Sequence, residues 1–278
     1  MKTKLLPFVL SVGVLLGTVP ALFGEQPAKG FTITDETRQD PRPLKIYVLK
    51  IDLEHPGNEL AIAVLEDPDG DGPAETTLMT PTALAKSAKL DVAVNATPWE
   101  MTQTNPDGKK IGYIEGGHCD IHGLIVKDGK ARSSALPSAW SLWQDAEGKW
   151  HLGEVPAGVN PKQAVSGFGP LLSKGNFATA PSDVRHPRTA VGLDESGRYL
   201  TLAVVDGRQK GISEGMSEHE LAELMKSLGC WDALNLDGGG SSVLMRDIAS
   251  ETPQIVNTPS GGKLRPIPVM VGLRLADQ

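Results

Sequence analysis

The stretch SEHELAELMKSLGCWDALNLDGGGSSVLM, residues 217–245, predicts a helix, a strand, a glycine turn and a second strand in direct succession. Ser217 and Glu220 have the spacing of a capping box, and apolar residues then repeat at helical intervals until Gly229. The segment WDALNLD predicts a buried strand that ends at a carboxylate, and SSVLM predicts the strand after the turn. A helix next to paired strands is typical of folds that combine both elements.

The rest of the chain consists mostly of strand pairs with turn signals between them. Asp128 and Gly129 separate two such strands, and further glycines mark other hairpin turns. Thr80 and Pro81 open one more short helix, and the prolines of RPIPVMVGLRL predict an edge strand near the end of the chain. We therefore predict the α+β class, with mainly antiparallel or mixed β-sheet built from hairpins and a few helices.

Composition and charge exclude several classes of protein. The 278 residues include 27 Lys and Arg against 34 Asp and Glu, which gives a formal net charge of −7 and a sequence pI of about 5.4. With 40% hydrophobic and 22% charged residues, the chain is neither disordered nor a coiled coil. Nonspecific nucleic-acid binding requires a basic surface, so no nucleic-acid partner is expected.

The first 24 residues predict a secretory signal peptide. Lys2 and Lys4 precede a mostly apolar run over residues 5–16, and small residues follow near its end. A retained anchor helix is the alternative, but Pro7 and Pro20 shorten the apolar span. We therefore expect an exported protein, periplasmic, in the cell envelope or secreted, with no stable membrane anchor once the signal is cleaved.

The domain organisation beyond the signal peptide is simple. Residues 25–43 are polar and contain prolines, which predicts a linker. Residues 44–278 show no internal repeat and predict one large domain.

The chain offers few signals for metal binding. Cys119 and Cys230 form no CxxC pair, and in an exported protein they fit either one disulfide or two buried thiols. Residues 67–72 match the first half of a calcium loop, but Leu78 stands where the loop needs a bidentate acid. We expect no metal site and no cofactor; weak calcium binding by residues 67–72 is the alternative.

The segment NLDGGGSS is the first candidate site. Three successive glycines weaken a plain hairpin, but they let a ligand approach the backbone N–H groups, which then form an anion-binding nest. The preceding strand places a carboxylate at the mouth of this turn, and a flexible turn with a solvated aspartate is the alternative. The segment is not a Walker loop, because it contains no Gly-Lys-Ser/Thr. The candidates are Asp237 as a catalytic residue and Asn235, Gly238, Gly239, Gly240, Ser241 and Ser242 as substrate-binding residues.

Two further segments add arginines. RHPRT, residues 185–189, combines arginines, a histidine and a hydroxyl, a set that suits a phosphate, and a planar guanidinium can hold two phosphate oxygens. VVDGR, residues 204–208, ends the partner strand of the same hairpin. A solvated basic loop and an exposed salt bridge are the alternatives. The candidates are Arg188 and Asp206 as catalytic residues and His186, Thr189 and Arg208 as substrate-binding residues.

A third group of candidates suits a sugar. Asn95 ends the strand DVAVN and Trp99 follows it; the amide can hydrogen-bond a sugar hydroxyl and the indole can stack on a sugar ring. Glu115 lies in a glycine-rich segment and is a further candidate catalytic carboxylate. A turn-forming asparagine, a packing tryptophan and a solvated glutamate are the alternatives.

Several segments, in this order, resemble the phosphodiester glycosidase family. They are VNATPW (94–99), SGFGPLLSKG (166–175), RHPRTAVG (185–192), VVDGR (204–208) and ELAELMKSLGCWDALNLDGGGSS (220–242). The last segment is the most specific, and the family often has Asn-Gly followed by aromatic residues where this chain has NATPW. The resemblance implies hydrolysis of a sugar 1-phosphodiester, with Asp237, Arg188 and the glycine turn in the active site.

With this resemblance, we expect residues 44–278 to be a catalytic domain that acts on envelope or extracellular glycans. It would cleave a carbohydrate phosphodiester and release the sugar and a phosphomonoester. A phosphorylated leaving group needs little acid assistance, so one carboxylate can support an oxocarbenium-like centre or activate water, while arginine and backbone N–H groups hold the phosphate. The alternative is a non-catalytic protein of the same fold that binds glycan or polymer phosphate as an envelope or exopolysaccharide factor.

Overall fold

A computed structural model describes residues 30–276 of the chain. The predicted signal peptide, residues 1–24, lies outside the described residues. Between residues 30 and 276, no helix is both long enough and apolar enough to cross a membrane.

The described residues form mostly short β-strands. Numbered in chain order, the first ten are β1 (Phe31–Arg38), β2 (Leu44–Asp52), β3 (Asn58–Val64), β4 (Thr76–Thr77), β5 (Val92–Asn95), β6 (Trp99–Met101), β7 (His118–Ile121), β8 (Ile125–Lys127), β9 (Lys130–Ser133) and β10 (Ser141–Gln144). The next ten are β11 (Trp150–Gly153), β12 (Gln163–Ser166), β13 (Gly169–Ser173), β14 (Asn176–Phe177), β15 (Arg188–Leu193), β16 (Tyr199–Val205), β17 (Asp232–Asn235), β18 (Leu244–Arg246), β19 (Gln254–Ile255) and β20 (Val269–Leu275). The α-helices are α1 (Pro81–Ser87) and α2 (Glu218–Ser227), and Gly239–Ser241 forms a 3-10 turn.

The strands form four sheets with antiparallel pairing. Their orders are β1-β2-β16-β15-β17-β13-β14, β11-β10-β12-β8-β9, β19-β18-β5-β20-β3 and β4-β7-β6. The prediction of mainly antiparallel sheet built from hairpins is confirmed, but helices are so few that the fold is β-rich and only loosely α+β.

The main apolar core lies among the three largest sheets, and strand alternation decides which side chains enter it. One face of the seven-stranded sheet contributes to this core, and the opposite face forms a second apolar cluster with α2 in which both alanines and larger side chains take part. The core side chains include Leu49, Val191, Leu202 and Leu234, and the helix-facing contacts join Leu221, Leu224 and Met225 to Ala190, Ala203 and Ala233.

Helix α2 begins and ends where the sequence predicts. The Ser217 hydroxyl accepts from the Glu220 N–H at 3.2 Å, and the Glu220 carboxylate accepts from the Ser217 N–H at 2.8 Å, which completes the capping box. Gly229 follows the helix with a positive φ of 89°, a conformation that favours glycine.

Two expectations about strands are wrong. Residues 31–38, inside the predicted linker, form β1, which pairs with β2 from Phe31 opposite Ile51 to Arg38 opposite Leu44. The side chains of β1 are mostly exposed at the edge of the sheet, so no buried alternation marks the strand. The final strand β20 is not an edge strand, because it lies between β5 and β3 and its neighbouring prolines precede Val269.

The glycine segment is not a hairpin turn. It leaves the seven-stranded sheet at β17 and enters the sheet of β5 and β20 at β18. The Asp237 N–H donates to the Ala96 carbonyl at 2.7 Å, and the Leu236 N–H donates to the Thr189 carbonyl at 2.9 Å. The ends of β5, β15 and β17 therefore meet at this crossing between sheets.

Both cysteines are free and buried, in separate apolar clusters. Burial raises the pKa of the Cys119 thiol to about 12 and that of Cys230 to about 11. Of the two alternatives from sequence, the structure has the buried thiols.

Candidate active site

A cavity of about 840 Å³ opens where β17 ends. Its wall contains residues 237–240 of the crossing between the two sheets, which we call the glycine crossing. Charged side chains from four other parts of the chain and two exposed aromatic rings complete the wall. The lining residues that matter below are Asp237, Gly238, Gly239, Gly240, Asn235, His186, Arg188, Arg208, Glu218, Arg265, Tyr113 and Phe168.

Two guanidinium groups lie directly on the glycines. A Cβ atom on Gly240 would stand 2.1 Å from Arg265 Nη2, and a Cβ on Gly239 would stand 3.2 Å from Arg208 Nη1. Gly239 also has a positive φ of 61°. The backbone conformation at Gly239 favours glycine, and a side chain on either Gly239 or Gly240 would have to displace an arginine. The two arginines therefore border the space beside the turn.

Arg208 and Arg265 carry their charge without a carboxylate partner. Arg208 Nη2 lies 3.3 Å from His186 Nδ1, and the Arg265 guanidinium lies 4.4 Å from the centre of the Tyr113 ring. Between residues 30 and 276, neither guanidinium has a carboxylate oxygen within 4.0 Å. Two positive charges without a direct ion pair, beside backbone N–H groups, favour an anion, although Arg265 also stabilises the ionised form of the nearby Asp237.

Arg188 lies in the same wall but is already engaged. Its Nε donates to the Met216 carbonyl at 3.0 Å, and its Nη1 donates to a Glu218 carboxylate oxygen at 3.3 Å. Burial lowers the pKa of Arg188, and Glu218 opposes that effect. Because Arg188 is bonded to these two groups, its charge is less available to a ligand in the cavity than the charges of Arg208 and Arg265.

Burial also lowers the pKa of His186, and the positive charges of Arg208 and Arg188 lower it further. A neutral imidazole at this position accepts a hydrogen bond from Arg208 and adds no third positive charge to the wall.

Asp237 is a half-buried carboxylate at the edge of the glycine crossing. Its Oδ1 accepts from the Gly238 N–H at 2.9 Å. Burial raises the pKa of Asp237, while the nearby Ser241 hydroxyl and the Gly238 N–H oppose the rise. The positive charge of Arg265 and the indole of Trp99 act in the same stabilising direction. Of these groups, Gly238 and Arg265 also border the cavity, while Ser241 and Trp99 lie behind its wall.

Trp99 stands behind the wall rather than in it. Its indole is near Asp237, and its ring meets Tyr113 edge-on with centroids 5.1 Å apart. It supports Tyr113, which does line the cavity. The predicted direct stacking of Trp99 on a sugar therefore has no geometric support.

Asn95 and Thr189 lie under the cavity and join two sheets. Asn95 Oδ1 accepts from the Thr189 hydroxyl at 2.8 Å and from the Val243 N–H at 3.1 Å, while its Nδ2 donates to the Asp237 carbonyl. Both side chains are at most 1% exposed and do not line the cavity. They fix the backbone of Asp237, and nothing in this arrangement places them against a substrate, so their role in substrate binding stays a prediction.

Replacing Asn95 by alanine is expected to lower the free energy of unfolding by about 3 kcal/mol, because it leaves the Thr189 hydroxyl and the Val243 N–H unpaired in a buried place. Denaturant unfolding measures this loss. Asn176→Ala, on an exposed two-residue strand, is the control and should change stability little. An Asn95→Ala protein as stable as the wild type contradicts the structural role.

Asp206, a predicted catalytic residue, also lies outside the cavity wall. Its carboxylate is 1% exposed and accepts from Asn257 Nδ2 at 2.9 Å and from the Thr258 N–H at 3.0 Å. Burial raises its pKa, and these donors oppose the rise. Asp206 ties the end of β16 to the segment after β19 and does not line the cavity.

Glu115 is absent from the cavity wall as well. Its Oε1 accepts from the Thr80 N–H at 3.1 Å, at the start of α1, where Thr80 itself makes no side-chain cap. The helix begins as the sequence predicts, but with a distant carboxylate as its acceptor. Ser241 and Ser242 are buried beneath the crossing and are likewise not lining residues.

A family model for phosphodiester glycosidases matches residues 88–274. The chain belongs to the phosphodiester glycosidase family. It is 29% identical over 188 residues to the SPbeta prophage-derived uncharacterized protein YomE of Bacillus subtilis strain 168, a match that covers 63% of this chain and 27% of that protein. The chain thus spans about a quarter of the length of this relative.

Two solved structures show the same fold. One is the zebrafish N-acetylglucosamine-1-phosphodiester alpha-N-acetylglucosaminidase catalytic domain auto-inhibited by its pro-peptide, with a TM-score of 0.61, 21% identity and coverage of 89% of this chain and 82% of that one. The other is a hypothetical protein from Synechocystis, with a TM-score of 0.63, 14% identity and coverage of 89% and 62%.

Four charged or aromatic residues of the cavity wall in this phosphodiester glycosidase fold are not among the candidates from sequence. Arg265 begins the segment RPIPVMVGLRL, which the sequence predicts only as an edge strand, and Glu218 follows Ser217 in the predicted helix start. Tyr113 and Phe168 lie in glycine-rich loops. An aromatic residue between glycines is a signal that can identify such positions, whereas nothing local identifies Arg265.

The described residues bring together one set of metal-ligand side chains, and it lies away from the cavity of the phosphodiester glycosidase fold. Glu100, Asp120 and His122 cluster on the β6–β7 hairpin, and Glu100 also pairs with Lys110.

Residues 67–72, which match the first half of a calcium loop, form a turn in which the Asp67 carboxylate accepts from the Asp69 and Gly70 N–H groups at 2.9 Å. The expectations about metals and cofactors stay predictions.

Proposed function

We propose that this protein hydrolyses a sugar 1-phosphodiester in the cavity at the end of β17. The observation that carries the proposal is the pair of guanidinium groups on Gly239 and Gly240, beside the carboxylate of Asp237. Membership of the phosphodiester glycosidase family supports the same reaction class.

The phosphate is held by Arg208, Arg265 and the N–H groups of the glycine crossing. A phosphodiester carries one negative charge, which becomes more negative on the leaving oxygen as the bond to the sugar breaks. Donors already fixed around that oxygen favour the transition state over the substrate. The protein has a formal net charge of −7, so this local positive wall is a specific feature of the site.

Asp237 acts on the sugar, at the anomeric carbon of the bond that breaks. The bond between the anomeric carbon and the phosphate oxygen breaks, the phosphomonoester leaves with the electron pair, and water supplies the new hydroxyl. An ionised Asp237 stabilises the positive charge that develops on the sugar or accepts the proton of the water. Glu218, which lines the cavity and pairs with Arg188, takes the place of Asp206 and Glu115 as the second carboxylate of the site.

A hydrolysis screen tests the proposed reaction. Sugar 1-phosphodiesters, beginning with N-acetylglucosamine, are incubated with the protein with and without a chelator, and free sugar and phosphomonoester are measured. Release of both products in equal amounts supports the proposal. Binding of the compounds without any new reducing end supports the alternative of a non-catalytic glycan or polymer-phosphate binding factor.

We also propose that the protein is exported and acts on envelope or extracellular glycans. The basic start and the apolar run of residues 5–16 support cleavage between about residues 21 and 26. Mass spectrometry of the protein from the cell exterior is expected to show a mature start in that interval. A full-length product retained in the membrane contradicts export.

A further inference from the structure

Phe168 is an exposed aromatic ring on a fixed backbone at the cavity. Its side chain is 62% exposed, yet its N–H donates to the Asn235 carbonyl of β17 at 2.8 Å. An exposed ring on a mobile loop needs no explanation, but this backbone is held against the strand that leads to Asp237. The ring therefore has a defined place in the cavity wall.

The flanking glycines explain how the ring is presented. A Cβ atom on Gly167 would lie 2.3 Å from the Asn235 carbonyl oxygen, so any side chain there would push the segment off β17. Gly169 has a positive φ of 154° and lies opposite Asn235 in the pairing of β13 with β17. The backbone of residues 167–169 therefore lies in close contact with β17, and Phe168 is the residue of this segment that has a side chain, which lines the cavity.

Two other exposed aromatic rings, Tyr113 and Phe177, already have partners. Tyr113 is covered by Arg265 and meets Trp99. Phe177 packs against His219, with centroids 5.0 Å apart, and lies 4.7 Å from Lys226 Nζ. Within residues 30–276, Phe168 makes no such ring or cation contact.

The aromatic ring, the carboxylate and the guanidinium groups follow one another along residues 235–240 of the cavity wall. Phe168 is anchored at Asn235, the carboxylate follows at Asp237, and the guanidinium groups lie at Gly239 and Gly240. A sugar 1-phosphodiester has the same order of parts, namely the sugar ring, the anomeric carbon and the phosphate.

We propose that Phe168 is the platform for the sugar ring that is released, stacking on its apolar face and setting the anomeric carbon against Asp237. The identity of the ligand rests on the proposed function, but stacking itself requires no turnover. Phe168 would therefore determine specificity for a ring with an apolar face, while Arg208 and Arg265 recognise the phosphate whatever it carries.

Calorimetric binding to four proteins tests this inference: wild type, Phe168→Ala, Phe168→Tyr and the control Phe177→Ala. The ligands are N-acetylglucosamine 1-phosphate, glucose 1-phosphate, mannose 1-phosphate and inorganic phosphate. We expect Phe168→Ala to weaken the sugar phosphates about tenfold or more, which is what covering one aromatic face supplies. Inorganic phosphate should bind with unchanged affinity, Phe168→Tyr should behave like the wild type, and Phe177→Ala should have no effect.

Unchanged affinity of Phe168→Ala for all three sugar phosphates overturns the inference. An equal loss for the sugar phosphates and for inorganic phosphate also overturns it, because that result indicates a disturbed phosphate site. A wild-type protein that binds phosphate but no sugar phosphate overturns it too. If Phe168→Ala weakens only the sugar phosphates and no phosphodiester is hydrolysed, the inference stands and the proposed catalytic function fails.

Discussion

Replacing Asp237 by asparagine is expected to reduce kcat about 100-fold or more, the scale of a positioned acid or base group. Asparagine keeps the shape of the side chain and an oxygen that can accept from the Gly238 N–H. It removes the negative charge that would support the anomeric carbon or activate water. Because Arg208 and Arg265 are untouched, the affinity for the phosphate group should largely remain.

The melting temperature of Asp237→Asn should be unchanged or higher. Burial raises the pKa of Asp237 in the folded protein, so the folded state binds a proton more readily than the unfolded state. The ionised carboxylate therefore destabilises the fold at pH values above its folded pKa. Removing the charge relieves that cost, and a gain in stability together with a loss of turnover is the signature of a functional carboxylate.

The pH profile gives an independent test of Asp237. If the ionised form is required, kcat/KM falls as the pH drops through its pKa, and burial moves this acidic limb above the range of an ordinary aspartate, about 3.9. The residual activity of Asp237→Asn should lack this limb. Asp232→Asn, at the other end of β17, is the control. Near-normal turnover in a folded Asp237→Asn protein contradicts the role of Asp237 and indicates Glu218 as the catalytic carboxylate.

Local signals predicted those parts of the fold that depend on neighbours in sequence. The capping box and Gly229 define α2 because both act within one or two helical turns. The position of a strand in a sheet depends on distant partners, so β20 was placed at an edge although β5 and β3 flank it. Strand β1 is not predicted from sequence because its apolar alternation is limited to Phe31 and Ile33, and the rest of the strand is polar and mostly exposed.

The same division applies to the site. Asp237 and the glycines were predicted because they are adjacent in sequence and break the ordinary pattern of a strand turn. Asn95 and Asp206 are also polar residues at the ends of strands, and the sequence alone does not distinguish a side chain that faces a ligand from one that joins two sheets. The structure separates them through buried hydrogen bonds, which leave neither side chain in the cavity wall.

Arg265 was missed because its role depends on a distant glycine. Its guanidinium lies against Gly240, 25 residues earlier in the chain, and over the ring of Tyr113. The sequence instead favoured Arg188 as the phosphate ligand, from a motif that suits phosphate. The structure leaves Arg188 in the wall but bonds it to Met216 and Glu218.

The arginine variants therefore decide which guanidinium holds the phosphate. Arg265→Ala is expected to lower kcat/KM about 100-fold, because it removes charge-assisted hydrogen bonds to a group whose charge grows in the transition state. Arg265→Lys keeps the charge but loses the planar fork, and it should still lower kcat/KM about tenfold. Arg246→Ala, an exposed arginine bonded to Gln254, is the control and should leave the kinetics unchanged.

Direct binding of inorganic phosphate separates Arg265 from Arg188. Arg265→Lys should weaken phosphate binding, since its guanidinium is free of carboxylates and lies on the glycine crossing. Arg188→Lys should change phosphate affinity less and stability more, because it breaks buried bonds to the Met216 carbonyl and Glu218. The reverse result, with phosphate affinity lost in Arg188→Lys and kept in Arg265→Lys, indicates that Arg188 binds the phosphate, as the motif at residues 185–189 predicts. It would also leave the contact between Arg265 and Gly240 as packing alone.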